Sequence, residues 1–205
     1  MDFILATTNQ GKVNEILNLL GKGHTVKTLA DIDFKEEIIE DGSTFEENAM
    51  IKAKAVWSRM SPSAYDYIIT DDSGLMIDSL DGKPGVHSAR WLGVDTLYDV
   101  KNRQVLELLK DIPQEKRTAR FVCVIACADA SGRIITAKGT LEGRISFESA
   151  GDNGFGYDPI FFVPDKNRTL AQLSKAEKNL ISHRASALKA LCSMLPHIPL
   201  SEVDL

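Results

Sequence analysis

The chain has 205 residues, 43% hydrophobic and 26% charged, with a formal charge of −5. These are the proportions of a globular protein with enough length for one full core, so a single domain over 1–205 is the expectation. No lysine/arginine cluster dominates any segment, which argues against broad nucleic-acid binding; an anionic ligand would have to be held by a few placed cations, amide N–H groups and a metal.

Cys123, Cys127 and Cys192 form neither a CxxC pair nor a zinc spacing, and their odd number suits a reducing compartment. The apolar run after Met1 is too short for a signal or membrane segment and lacks a basic flank. A cytoplasmic protein with no membrane and no nucleic-acid partner is expected.

Phe3 to Thr7 is a short apolar run that meets turn chemistry at once, and predicts a buried strand. Thr7-Thr8-Asn9-Gln10-Gly11-Lys12 follows, then a helix with Val13, Ile16, Leu17 and Leu20 on one face. Strand, polar loop, helix is a geometry that presents amide N–H groups and a positive dipole end to a phosphate, with Lys12 as a point charge. The spacing is neither Walker A nor G-x-G-x-x-G, so a plain connecting loop fits equally well. Residues 24–39 read as an irregular second strand region around Val26 and Ile38-Ile39. Ser43 with Glu46 forms a capping-box pattern, opening a helix whose buried face is Phe45, Ala49, Ala53, Val56 and Met60. Lys52 lies one turn beyond Asn48 on that helix, and Glu40 stands just before its cap. Ser61-Pro62-Ser63 stops it.

The strand Tyr67–Thr70 delivers Asp71-Asp72-Ser73-Gly74, and Leu75-Met76-Ile77 continues beyond. Two adjacent carboxylates behind a buried strand would lose solvation and repel each other if covered. A bound Mg²⁺ between them and a phosphorylated ligand would resolve the conflict, and a solvated Asp-Asp-Ser-Gly turn would avoid it. Gly82 to Gly85 is a turn, and His87 shows no catalytic partner. A helix from Thr96 to Lys110 carries Val105, Leu108, Leu109 and Ile112 on one face. Ala119 to Ala128 is a strand, with Cys123 and Cys127 on one side of it, turned back at Asp129–Gly132 into a hairpin that Gly139 to Ile145 extends.

Gly151 to Pro159 is a glycine- and aromatic-rich loop before the strand Ile160–Val163. Phe155 or Tyr157 could stack on a base there, or simply fill core. Ser182 is a good N-cap for a last helix with Leu188, Leu191, Cys192 and Leu195 buried. That puts His183 and Arg184 in its first turn, where the dipole disfavours cations; a bound anion, or solvent, would relieve this. Residues from Pro196 onward read as a loose tail.

Taken in order, Ala6-Thr7-Thr8-Asn9 with Lys12, Glu40-Asp41-Gly42 with Thr44-Phe45, Glu47-Asn48-Ala49 and Lys52-Ala53, Asp71-Asp72-Ser73-Gly74-Leu75, Pro84-Gly85 with Ser88-Ala89-Arg90, Gly154-Phe155-Gly156-Tyr157-Asp158-Pro159, and Lys178 with Ser182-His183-Arg184 resemble the inosine triphosphate pyrophosphatase family. The resemblance runs from about residue 4 to residue 195. It implies an α/β fold, an elongated mixed β-sheet flanked by helices with two lobes around a central cleft. It also implies Mg²⁺-dependent hydrolysis of dITP, ITP and XTP to monophosphate and pyrophosphate, and a homodimer. Carried over by residue, Thr7, Thr8, Asn9, Gln10, Gly11 and Lys12 would form the phosphate loop. Glu40 and Asp72 would hold the metal, and Asp72 would also accept the proton. Ser73 and Lys52 would touch substrate, Phe155, Gly156, Tyr157 and Asp158 would line the base pocket, and Lys178, His183 and Arg184 would complete the site. Two other readings stand beside this one: a pyrophosphatase for modified pyrimidine triphosphates, and a nucleotide-binding module without turnover.

Overall fold

A computed structural model describes residues 1–20, 23–61, 64–195, 198 and 200. The expected helix stop at Pro62-Ser63 and most of the expected tail, from Pro196 onward, lie outside the described residues. One seven-stranded sheet runs in the order β2-β1-β3-β4-β5-β6-β7. Its strands are β1 (Asp2–Ala6), β2 (Thr25–Thr28), β3 (Tyr67–Ile77), β4 (Thr118–Asp129), β5 (Ile134–Ile145), β6 (Phe161–Val163) and β7 (Arg168–Thr169). β1 pairs in parallel with both β2 and β3, whereas β5/β6 and β6/β7 are antiparallel, so the sheet is mixed. The helices are α1 (Gln10–Leu20), α2 (Phe45–Trp57), α3 (Tyr98–Leu108), α4 (Lys175–Ile181) and α5 (His183–Met194). Among the described residues, no helix is long and apolar enough to cross a membrane.

The chain folds into two compact units. The first comprises 1–72, 123–139 and 183 onward; the second comprises 73–122 and 140–182. The first unit has its own core, in which Phe3, Leu5 and Ile69 of the parallel strands meet Val13, Ile16 and Leu20 of α1 and Leu188 and Leu191 of α5. Cys123 and Cys127 enter this core from β4, as their spacing on one strand face requires. At Gly139 of β5 an added Cβ would lie 2.2 Å from His183 O and 2.3 Å from Ala187 N, so a bare backbone lets α5 lie directly on the strand. The second unit packs Leu75, Ile77, Val105, Leu109, Phe121, Phe161, Ile160 and Leu170 around Tyr157.

Several local expectations shift. The capping box is made one residue later than expected. Thr44 accepts from Glu47 N–H at 3.1 Å while Glu47 reaches back to Thr44 N–H, and Ser43 joins by donating its hydroxyl to Glu47. α2 ends at Trp57, leaving Met60 beyond it. Ile38 and Ile39 form no strand, and Ile39 is 72% exposed. Leu108 faces outward, because Val105 and Leu109 already fill the buried side of α3. β7 and the seven-residue helix α4 were not legible: both are too short for a periodic apolar pattern.

Candidate active site

In the first unit the turn after β1 is organised by its own side chains. Thr7 Oγ1 accepts from Asn9 N–H at 3.2 Å, and Asn9 Oδ1 accepts from Lys12 N–H at 3.2 Å. Asn9 O also accepts the first helical bond, from Val13 N–H, so Asn9 caps α1 and Thr7 orders Asn9. The Gln10 side chain turns along the helix to Asn14. What this segment can offer a phosphate is the N–H groups of the first turn and the ammonium of Lys12.

β3 does not stop at the two carboxylates; it runs through them, and strand alternation sends neighbouring side chains to opposite faces. This separates the like charges without a metal between them. Asp71, 1% exposed, faces α1 and α5. Lys12 Nζ donates to its Oδ1, and Arg184 Nε and Cys123 Sγ donate to Oδ2 at 2.9 and 3.0 Å. Arg184 Nη1 also reaches Glu15. Burial alone would raise the Asp71 pKa, but the charges of Arg184 and Lys12 hold it well below the usual carboxylate range. Burial works against the Arg184 charge too, and Asp71 and Glu15 overcome it. At the mouth of the last helix, where the sequence admits a bound anion or solvent, the protein's own Asp71 supplies the anion.

Asp72 faces α2. Lys52 Nζ donates to its Oδ1 at 3.1 Å and Asn48 Nδ2 to its Oδ2 at 3.3 Å, while the same Lys52 Nζ meets Glu40 Oε2 at 2.7 Å. Asn48 is fully buried and its orientation is fixed, because Oδ1 accepts from Gly42 N–H at 2.9 Å. Burial raises the Asp72 pKa and Glu40 adds to it, with Lys52 opposing. Lys52 is itself raised: burial disfavours its charge, but Asp72 and Glu40 outweigh that. Among the described residues no group of three His, Cys, Asp or Glu converges as a metal cage. Even so, Glu40 and Asp72 bring two hard oxygen donors around one cation. That donor set suits Mg²⁺, which is commonly held by one or two carboxylates together with substrate phosphates.

In the second unit Asp158 is the organiser. Buried to 2% exposure, its Oδ2 accepts from Phe155 N–H at 2.8 Å and from Lys178 Nζ at 2.5 Å. Lys178 Nζ also stands 4.6 Å from the centre of the Phe155 ring, a cation–π contact. Gly154 has φ +76°, and a Cβ there would meet Asp158 Oδ2 at 2.1 Å, so only glycine lets the carboxylate close this loop. Tyr157 donates its hydroxyl to Ser88 O at 3.0 Å and packs edge-on against Tyr98, 5.3 Å between centres. Burial pushes its phenol pKa upward. α4 carries Lys178 from a Ser174/Glu177 capping box.

The expected site residues therefore fall into two groups. The phosphate loop, Glu40, Lys52, Asp72, His183 and Arg184 belong to the first unit, and Ser73, Phe155, Gly156, Tyr157, Asp158 and Lys178 to the second. His183 is buried as the first residue of α5, and Ser73 is half-buried in β3. Asn48, Glu15 and Cys123 had no expected role. The i, i+4 pairing of Asn48 with Lys52 was the one sequence signal available, since the contacts of Glu15 and Cys123 come from remote segments.

A sequence profile of the Ham1 family matches residues 3–194. A dITP/XTP pyrophosphatase of Exiguobacterium sibiricum is 49% identical over 192 residues, spanning 93% of this chain and 95% of its own length. One from Bacillus subtilis is 49% identical over 94% of this chain and 96% of its own. Among solved structures, the Ham1 protein of Staphylococcus aureus is similar with a TM-score of 0.84 and 36% identity, covering 96% of this chain and 99% of its own. A HAM1 protein from Coxiella burnetii gives 0.83 at the same identity.

Proposed function

The chain belongs to the Ham1 family, and we propose that it is a nucleoside triphosphate pyrophosphatase hydrolysing non-canonical purine nucleoside triphosphates, dITP, ITP and XTP, to monophosphate and pyrophosphate. The observation that carries this is near-half identity, over almost the full length of both chains, to proteins named dITP/XTP pyrophosphatases. The donor set of Glu40 and Asp72, with Lys52 between them, supports it.

In this reading water attacks the α-phosphorus, the bond to the bridging oxygen breaks, and pyrophosphate leaves. Asp72 orients the water and takes its proton. Lys12 and Lys52 carry the phosphate charge, with the first-turn N–H groups of α1 cradling one phosphate. Asn48 keeps the Asp72 carboxylate from rotating. Glu40 and Asp72 would hold Mg²⁺, which when bound supplies Lewis-acid neutralisation of phosphate charge. Ser73, His183 and Lys178 complete the substrate contacts.

Hypoxanthine and xanthine carry a 6-oxo acceptor where adenine has an amino donor, and donors at that position reject adenine by leaving two donors face to face. Arg184 is engaged by Asp71 and Glu15, so the base-facing contacts are assigned to the Phe155–Asp158 loop. The whole chain acts as one pyrophosphatase domain, in the cytoplasm, as a homodimer. The exposed apolar side chains Leu92, Val94, Leu97 and Val100 support the dimer, and light scattering on the purified protein tests it.

The decisive assay offers ITP, XTP, ATP and GTP with and without Mg²⁺ and follows monophosphate and pyrophosphate. Selective, Mg²⁺-dependent release of pyrophosphate from ITP and XTP is expected. Equal turnover of all four, or release of orthophosphate alone, overturns the proposal.

A further inference from the structure

One face of α3 is buried yet polar: Lys101 is 1% exposed and Asn102 3%, beside the apolar Val105. Among the described residues Lys101 meets no carboxylate. Its Nζ donates to Ala89 O at 2.5 Å and lies 4.9 Å from the centre of the Tyr98 ring. Asn102 Nδ2 donates to Gly156 O at 3.1 Å, while its Oδ1 is buried with no partner among the described residues. A buried cation without an acid and a half-satisfied amide are costly ways to fill a helix–loop contact that apolar side chains could fill. What both groups do is hold backbone carbonyls.

Those carbonyls belong to two segments that meet. Asn102 grips the glycine–aromatic loop at Gly156, and Lys101 grips the Gly85–Arg90 turn at Ala89. Tyr157 joins the two through its bond to Ser88 O. Ser88 Oγ in turn accepts from Leu75 N–H at 2.9 Å, anchoring the turn to β3. The loop needs such a grip. Gly154 and Gly156 both have positive φ, at +76° and +70°, and glycine populates either sign of φ about equally, so the Gly156–Tyr157 peptide has no intrinsic preferred orientation. The Asp158 carboxylate fixes the peptide before Phe155; Asn102 fixes the one after Gly156.

We propose that Asn102 is the positioning residue for base selectivity: through Gly156 O it holds the Phe155–Asp158 loop in the one arrangement that presents Phe155 and its neighbouring backbone to the purine, with Lys101 and the Gly85–Arg90 turn as its buttress. This rests on the reading of that loop as base-contacting. It assigns a role to the Pro84–Arg90 motif, which otherwise has none.

The test compares wild type, Asn102→Ala, Asn102→Asp, Lys101→Met and Phe155→Ala by steady-state kinetics on ITP and ATP, with Tm recorded for each. Loss of one neutral hydrogen bond should raise KM for ITP in Asn102→Ala by roughly three- to tenfold and lower the ITP-to-ATP ratio of kcat/KM by a similar factor, with kcat on ITP changing less. Asn102→Asp keeps the shape and in its ionised form has no donor, so at about pH 8 or above it should reproduce the shift even if the alanine variant folds poorly. Lys101→Met should show a smaller change in the same direction. If Phe155→Ala alters selectivity while Asn102→Asp retains the wild-type ratio, the positioning role is overturned and the base-loop reading stands. If Phe155→Ala leaves KM and selectivity unchanged, the base-loop reading falls and this inference with it. A uniform loss of kcat on both nucleotides, tracking Tm, also overturns it, since a purely structural residue behaves that way.

Discussion

Arg184 Nε donates to Asp71 Oδ2 at 2.9 Å across 113 residues of chain, and neither side chain is more than 2% exposed. The pair explains two features at once. It supplies the anion that a basic first turn of α5 requires, and it occupies the first of two adjacent carboxylates so that the second alone faces α2. Lys12 on the same Asp71 extends the link to the start of α1.

Breaking that pair should be expensive. Asp71→Asn leaves the buried Arg184 and the half-buried Lys12 around a neutral group and should cost about 3–5 kcal/mol in urea denaturation. Arg184→Met should cost a similar amount, and the double variant less than the sum, because the partners are in contact. Additive losses below about 1 kcal/mol would show that the pair is incidental.

Asp72→Asn should separate chemistry from binding. The amide oxygen still accepts from Lys52, but its NH2 then faces the Nδ2 of Asn48, which Gly42 N–H holds in place, so the fold should hold with Tm several degrees below wild type. ITP turnover should fall by roughly 10²–10⁴-fold, while nucleotide affinity measured by calorimetry at saturating Mg²⁺ stays within a small factor. Retained turnover would remove Asp72 from the chemistry.

Removal of divalent cations with EDTA should abolish pyrophosphate release, and Mg²⁺ should restore it. Glu40→Gln should then need at least about tenfold more Mg²⁺ for half-maximal rate, since one of the two anionic donors is lost. A rate indifferent to EDTA would contradict the assignment of Glu40 and Asp72.

Acid stability should report the α4 cap. The Ser174 N–H bond, followed by Arg168, lowers the Glu177 pKa to about 2 from an ordinary value of 4.5. A depressed carboxylate pKa means that the folded state binds the proton less tightly, so its contribution is full above about pH 4.5 and fades as pH falls towards 2. Wild type should therefore melt higher than Glu177→Gln at pH 6, and the gap should close near pH 2. A gap independent of pH would mean that the charge plays no part.

Gly139→Ala should be among the most damaging single substitutions in the first unit. A methyl group 2.2 Å from His183 O forces α5 off β5, and with it the Arg184–Asp71 contact. The cost should exceed the ~1–3 kcal/mol typical of overpacking. Denaturation midpoints of Gly139→Ala and Gly139→Ser decide it, and a loss under ~0.5 kcal/mol would show that α5 can shift freely.

What the sequence determined by itself was what local chemistry specifies. The apolar runs of β1, β3 and β4, the periodic faces of α1 (except Leu17, which is 40% exposed), α2 and α5, and the turn at Asp129–Gly132 follow from residue type over short windows. The ordered motifs from Thr7 to Arg184 were likewise enough to point to a family and its chemistry. Tertiary structure decided the partners. That Asp71 belongs to Arg184, Lys12 and Cys123, while Asp72 belongs to Lys52 and Asn48, depends on which helices cover each face of β3. Residues as remote as Arg184 converge there, and no local window contains them. The same holds for Asp158, which the family resemblance implies as a base-pocket residue and packing shows bonded to Phe155 N–H and Lys178. A buried charge takes its meaning from what faces it, and facing is a property of the fold.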